Sequence, residues 1–202
     1  MELLMSRAPE GEPSPEALEI EVLVRRTLAG DTAAFERIVV RYERRVMTLS
    51  LRVLRAVDDA QDATQEVFLR AFKYLHRLDL RKPIEPWLMR MTVNVCRDIA
   101  RKKLRRHSTF SEIPVVDADP KDESRDPYAG FAWEQQRQML WRALDGLPEK
   151  ERMAVILRDV EGFTTAEVAE ILGSSEGTVR SQICRGRLRI KDAMDLLTGG
   201  RL

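Results

Sequence analysis

The chain has 202 residues and 44% hydrophobic side chains, enough for one or two domains around a real core. Charged residues make up 33%, but 34 Lys and Arg offset 33 Asp and Glu for a net charge of +1, which taken alone argues against a nucleic-acid partner. Only Cys96 and Cys184 occur, far apart, the first residues are acidic and Pro-rich, and no apolar run approaches the ~20 residues needed to span a bilayer. Disulfide frameworks, a secretory leader and a membrane span are therefore not expected, and a soluble protein of the cytoplasm is.

The near-zero net charge hides segregation. Residues 97–106 are strongly basic, residues 112–126 mostly acidic, and residues 180–191 basic again. Local contact with nucleic acid is compatible with that pattern.

In chain order, residues 1–16 hold Pro9, Pro13 and Pro15 among Glu and Gly and are expected to form a disordered tail. A helix is predicted from Ala17 to Leu28, stopping at Gly30, and Asp31 is placed to cap the next. Phe35, Ile38, Val39, Tyr42, Val46, Leu49 and Val53 then recur at helical period, a long amphipathic core helix. Asp58, Asp59 and Asp62 sit at the favourable positive end of a third helix. Its Thr64, Val67, Phe68, Ala71 and Leu75 point to the core, while Asp62, Glu66, Leu69 and Lys73, with Gln65 beside them, point outward. Leu69 on that polar face fits an anchor for a protein partner, and equally an ordinary exposed leucine.

Residues 76–86, with His76, Arg77, Asp79, Arg81, Lys82 and two prolines, are expected to form a polar loop without regular structure. Helix resumes at Pro86 and Trp87, with Leu88, Met91, Thr92, Val95 and Ile99 as its buried stripe. Arg90, Asn94, Arg97, Arg101 and Arg105 fall on the opposite side. Such a row suits single-stranded or distorted nucleic acid, since arginine tracks phosphates; a solvated basic face is the plainer alternative, and Trp87 itself is expected in the core.

Residues 107–130 are acidic, carry Pro114, Pro120 and Pro127, and show no period: an extended interdomain linker. Its charge either occupies a positive groove of a partner or keeps the linker off the basic segments flanking it. Helical pattern returns from Phe131 with Met139, Leu140, Leu144 and Leu147; Pro148 restarts the chain, and Met153, Ile156, Leu157 and Val160 make the next stripe, ended by Gly162.

Thr164 and Glu167 then form a capping box, Gly173 supplies a left-handed stop, and Ser175 with Glu176 suits the start of a second short helix. Val179, Ile183, Gly186 and Ile190 form its buried stripe, leaving Thr178, Ser181 and Arg185 outward, flanked by Arg180, Arg187 and Arg189. Hydroxyls at a helix front with arginines behind suit the major groove of DNA, the hydroxyls and Arg185 reaching base edges and the other arginines holding phosphates. An arginine-rich surface helix is the competing explanation, and the capped, Gly-turned helix before it favours DNA. No Gly-rich phosphate loop, metal-spaced His/Cys cluster or nucleophile beside a base is legible, so neither catalysis nor a cofactor is expected.

The order of these motifs resembles the extracytoplasmic-function (ECF, group 4) sigma factors of bacterial RNA polymerase, over residues 18–194. In the N-terminal half the likeness rests on residues 29–36 (Ala-Gly-Asp-Thr-Ala-Ala-Phe-Glu), residues 62–72 (Asp-Ala-Thr-Gln-Glu-Val-Phe-Leu-Arg-Ala-Phe) and residues 87–94 (Trp-Leu-Met-Arg-Met-Thr-Val-Asn) before the basic run. In the C-terminal half it rests on Leu147, Pro148, Glu149 and Arg152, then residues 165–173 (Thr-Ala-Glu-Val-Ala-Glu-Ile-Leu-Gly) and 175–181 (Ser-Glu-Gly-Thr-Val-Arg-Ser).

The resemblance implies an all-α protein of two small helical domains, residues 17–106 and 131–197, joined by the linker and followed by a short tail at 198–202. It implies a non-enzymatic subunit that brings core polymerase, through its clamp and flap, to −10 and −35 promoter elements and helps melt DNA. Asp58, Asp62, Gln65, Glu66 and Leu69 would dock on the clamp. His76, Arg77, Asp79, Arg81, Lys82, Arg90, Asn94, Arg97 and Arg101 would meet the −10 element, and Ser175, Glu176, Thr178, Arg180, Ser181 and Arg185 the −35 element. An anti-sigma factor, often membrane-bound, is implied as inhibitor, holding a cytoplasmic chain at the inner face of the membrane. The alternative from another class is a free-standing helix-turn-helix regulator whose N-terminal half senses a ligand or dimerises.

Overall fold

The computed structural model describes residues 15–106 and 127–197; the expected tails and most of the acidic linker lie outside them. All regular elements among the described residues are helical. The N-terminal half holds α1 (Pro15–Leu28), α2 (Thr32–Leu54), α3 (Val57–Tyr74), a 3-10 turn (Leu75–Arg77) and α4 (Ile84–Arg106). The C-terminal half holds α5 (Pro127–Asp145), α6 (Glu149–Val155), a π-turn (Ile156–Val160), α7 (Thr165–Leu172) and α8 (Glu176–Leu197).

Local chemistry sets most boundaries. Asp31 accepts the Ala34 amide at 3.2 Å and caps α2. Gly30, Gly162 and Gly173 take positive φ at helix ends, where a side chain would be strained. α2 ends differently, on Arg55 at φ 57°, a left-handed residue that is not glycine. Helix also begins earlier than expected at two places: α4 at Ile84, taking Pro86 into its first turn, and α5 at Pro127 rather than Phe131.

α2, α3 and α4 pack on one another through Val46, Leu49, Val67, Phe68, Ala71, Leu88 and Val93. Each such fully buried aliphatic contributes about 1.5–3 kcal/mol relative to exposure. α4 buries more than the single stripe its period indicates, since Met89 and Cys96 are also inside. Burial pushes the Cys96 thiol up to about 12, so it stays protonated at neutral pH.

A second cluster, Ile20, Leu23, Val24, Ala34, Ile38, Leu75 and Ile84, seats α1 and the turn after α3. Leu78 and Leu80 pack on it and tie down the segment expected to be a structureless polar loop. In the C-terminal half, α6 and α5 pack on α8, with Trp141 and Leu144 buried; Leu140, expected inside, is 38% exposed. The two halves are docked, α4 against α7, and one apolar cluster runs through both.

Candidate nucleic-acid interface

α7 and α8 form the helix-turn-helix. Both arms of the capping box are made: Glu167 N–H donates to Thr164 Oγ1 at 3.2 Å and Thr164 N–H to Glu167 Oε2 at 2.9 Å. Ser175 Oγ accepts the Thr178 amide at 3.2 Å and starts α8. Val179 and Ile183 are buried, and α8 crosses α6 at Gly186, where an added Cβ would lie 2.7 Å from Val155 Cγ2. That close crossing fixes which edge of α8 faces out. Ser175, Glu176, Thr178, Arg180, Ser181 and Arg185 all lie exposed along it. Glu176 holds Arg180 at 3.0 Å, and Ser181 Oγ donates to the Gly177 carbonyl at 3.0 Å. Arg187, expected to hold phosphate, has its Nε and Nη2 both donating to Asp159, at 2.9 and 2.5 Å. Asp159 holds the Arg187 guanidinium above its ordinary pKa through that pairing.

The second surface is built by α4 and the segment before it. Arg90, Asn94 and Arg101 are exposed and Arg97 is partly covered. Trp87, expected in the core although outside the stripe, is partly buried and packs against both apolar clusters. In the turn before α4, Asp79 accepts from Arg81 Nε at 2.9 Å and from the Arg81 amide at 3.1 Å, so its carboxylate shapes the loop. Arg81 beside it holds the Asp79 carboxyl below the usual carboxylate range. Arg77 stacks over the Tyr74 ring at 4.9 Å, and His76 is exposed next to it.

The outward face of α3 carries Asp58, Asp62, Gln65 and Leu69, with Glu66 half-buried. Leu69 is 68% exposed, and Phe72, one turn on, is also exposed and stacks edge-on against Phe35. Glu66 accepts from Arg70 Nε at 2.6 Å, and Arg70 reaches Asp98 of α4 at 3.3 Å.

Sequence reasoning missed the charged contacts between the halves. Arg97 donates to Glu149 at 2.7 Å and Lys82 to Glu170 at 2.9 Å, so two cations assigned to DNA are held by carboxylates of the other half. Arg52 meets Glu161 at 2.5 Å with both side chains nearly closed off, 12% and 6% exposed. Arg45 donates to the Glu161 carbonyl at 3.2 Å and lies over Phe163, and Arg55 lies over Trp141 at 4.8 Å. Glu161 arrives there at the end of the π-turn, its N–H bonding back to the Ile156 carbonyl. Nothing in the local spacing of these residues marks them as partners.

A helical platform with an exposed basic edge is followed by a helix-turn-helix, and the family models that match these two parts put the chain in the sigma-70 class. Residues 38–106 match the model of Sigma-70 region 2, and residues 137–190 that of Sigma-70, region 4. The ECF RNA polymerase sigma-E factor of Escherichia coli (strain K12) is 32% identical over 188 residues, covering 90% of this chain and 97% of that protein. The ECF RNA polymerase sigma factor SigE of Mycolicibacterium smegmatis is 33% identical over 189 residues, covering 90% of this chain and 69% of that one. The chain belongs to the ECF RNA polymerase sigma factors. In fold it is similar to CnrH solved with the cytosolic domain of CnrY (TM-score 0.65, 22% identity, 88% and 98% of the two chains). It is equally similar to RpoE of Bartonella quintana solved with the anti-sigma factor NepR (TM-score 0.65, 21% identity, 80% and 96%). A region 2 match across the N-terminal half disfavours a free-standing regulator.

Proposed function

We propose that this sigma factor docks on core polymerase through the outward face of α3 and reads promoters with two separate surfaces. Asp58, Asp62, Gln65, Glu66 and Leu69 form the docking face. The observation that carries it is Leu69, a large apolar side chain left 68% exposed in the middle of a polar face. The loop carrying His76, Arg77, Asp79, Arg81 and Lys82, with Arg90, Asn94, Arg97 and Arg101 of α4, forms the −10 surface. Ser175, Glu176, Thr178, Arg180, Ser181 and Arg185 form the −35 surface. Duplex contacts at −35 fix register; cationic contacts at −10 offset the stacking lost on melting, ~1.4 kcal/mol per step. Covalent chemistry belongs to the core enzyme.

Residues 17–106 and 131–197 act as the two promoter-binding units, joined by the acidic segment. An anti-sigma factor holds the chain inactive, as NepR is bound by the Bartonella quintana protein of the same fold. A membrane-bound partner of this kind would keep the chain at the inner membrane face.

The docking face is tested by combining Leu69→Ala with Glu66→Lys and measuring association with core polymerase and transcription. The expected outcome is loss of both, by at least about tenfold, while binding to duplex DNA changes little. Undiminished association with core would remove the face from the interface.

A further inference from the structure

We infer that Glu151, on α6, is a positioning residue for promoter reading: it sets Arg185 and Arg189 of α8 for DNA, while Asp159 withdraws Arg187 from it. The inference rests on the assignment of Arg185 to the −35 duplex. Glu151 is only 7% exposed, beneath the crossing of α6 and α8. A carboxylate so covered is costly unless compensated. The cations nearest to it on the recognition helix compensate it by charge alone: Oε1 lies 4.0 Å from Arg185 Nε and Oε2 lies 3.5 Å from Arg189 Nε, with Oε2 making no hydrogen bond. Arg185 Nε is further held by the Ser181 carbonyl at 3.2 Å.

The edge of the guanidinium that is held decides what it can do. A guanidinium is a rigid planar fork, so anchoring it at Nε turns its terminal amino groups to the other side. Arg185 is anchored at Nε by the Ser181 carbonyl, both Arg185 and Arg189 turn Nε toward Glu151, and their side chains are 62% and 54% exposed. Their terminal amino groups are thus free to make the paired contact that a guanine edge or a phosphate accepts. Arg187 is the opposite case, because Asp159 occupies Nε and Nη2 together. It clamps the π-turn to α8 and has spent the fork that DNA would need. Three arginines alternating along one helix therefore divide into two readers and one clamp, and two acids of the preceding segment make the division.

Orientation fixed before binding lowers the side-chain ordering cost on DNA, and the benefit falls mostly on the contact that needs geometry. Glu151 should matter for discrimination between −35 sequences more than for general affinity. The test uses holoenzyme reconstituted from core polymerase and the full chain. Binding is measured on a promoter taken from its own mapped transcripts and on the same promoter with the −35 base pairs replaced.

Arg185→Ala should reduce the ratio of the two affinities by about tenfold or more. Glu151→Gln should reduce the same ratio roughly fivefold, and should add little to Arg185→Ala because both act on one contact. Glu151→Asp keeps the charge but withdraws it from Arg185 by one methylene; it should reproduce the loss and decides the matter if Glu151→Gln does not fold. Asp159→Asn should leave the ratio unchanged. If Arg185→Ala lowers the ratio while both Glu151 variants keep it, or lower affinity equally on every sequence, Glu151 only supports the fold and the inference is overturned. If Arg185→Ala itself leaves the ratio intact, the −35 assignment of Arg185 fails first, and the two failures are told apart.

Discussion

The outward edge of α8 and the outward edge of α4 carry similar chemistry, a row of arginines beside small polar groups, yet the molecule treats them differently. On α8 the row is organised from within its own half: Glu176 holds Arg180, Glu151 faces Arg185 and Arg189, and Asp159 holds Arg187. On α4 and its leading loop, two of the cations are held by the other half, Arg97 by Glu149 and Lys82 by Glu170. On the proposed assignment, the −35 surface needs no movement between the halves to meet DNA. On the same proposal, Arg97 and Lys82 of the −10 surface would exchange the carboxylates of the other half for phosphates, which calls for the halves to part. Exposed pairs of this kind contribute only about 0–1 kcal/mol each, which makes the exchange a small barrier. The covered Arg52–Glu161 pair is the stronger hold.

That contrast can be broken at the shielded pair, where the largest effect is expected. Glu161→Ala removes the carboxylate beside Arg52 while leaving the main-chain carbonyl that Arg45 uses. Losing one partner of a covered pair costs about 3–5 kcal/mol, so the docked arrangement should give way to a more open one. Small-angle scattering should report a larger radius of gyration, and single-stranded −10 DNA should bind the isolated protein more tightly. An unchanged radius would mean that other contacts hold the halves together.

Gly186→Ala tests the ready state of α8. The new Cβ would meet Val155 Cγ2 at 2.7 Å and Leu147 Cδ2 at 3.1 Å, and the β-branched valine has little room to yield. Overpacking of this kind costs about 1–3 kcal/mol. Thermal unfolding should fall accordingly, and −35 binding should weaken while core association is kept. Wild-type behaviour in both would show that α8 tolerates a wider crossing.

The smallest effect is expected at the first helix of the motif. Thr164→Ala removes both hydroxyl contacts of the capping box and should lower stability by about 1 kcal/mol, read as a modest fall in melting temperature. Promoter selectivity should not move, because Thr164 lies off the outward edge of α8. A loss of selectivity would make α7 part of the reading surface.

Much of this was legible in the residues. Asp31, Thr164 with Glu167, and Ser175 are side chains that satisfy helix-end amides within a few positions, so their meaning is local. The stripes of α2, α3 and α8 follow from helical period alone. What could not be read was set at longer range or against the usual rules. Arg55 turns α2 into α3 in a conformation normally given to glycine, and its place over Trp141 depends on a helix some ninety positions on. The π-turn at Ile156–Val160 breaks the 3.6 period on which a stripe through Val160 depends, and it delivers Glu161 to Arg52. Leu78 and Leu80 were hidden among charges in a loop, and only their packing on the second cluster reveals them as anchors. The pairings of Arg97 and Lys82 leave no trace in spacing at all, because each partner lies in the other half.

The central claim is that one chain carries two promoter-reading surfaces and delivers them to a larger enzyme. Its most direct test is to reconstitute the protein with bacterial core polymerase on genomic DNA and sequence the 5′ ends of the transcripts. The account predicts a discrete set of starts absent with core alone, each preceded by two shared sequence elements at a fixed separation. Failure to join core, or starts no different from those of core alone, would contradict it.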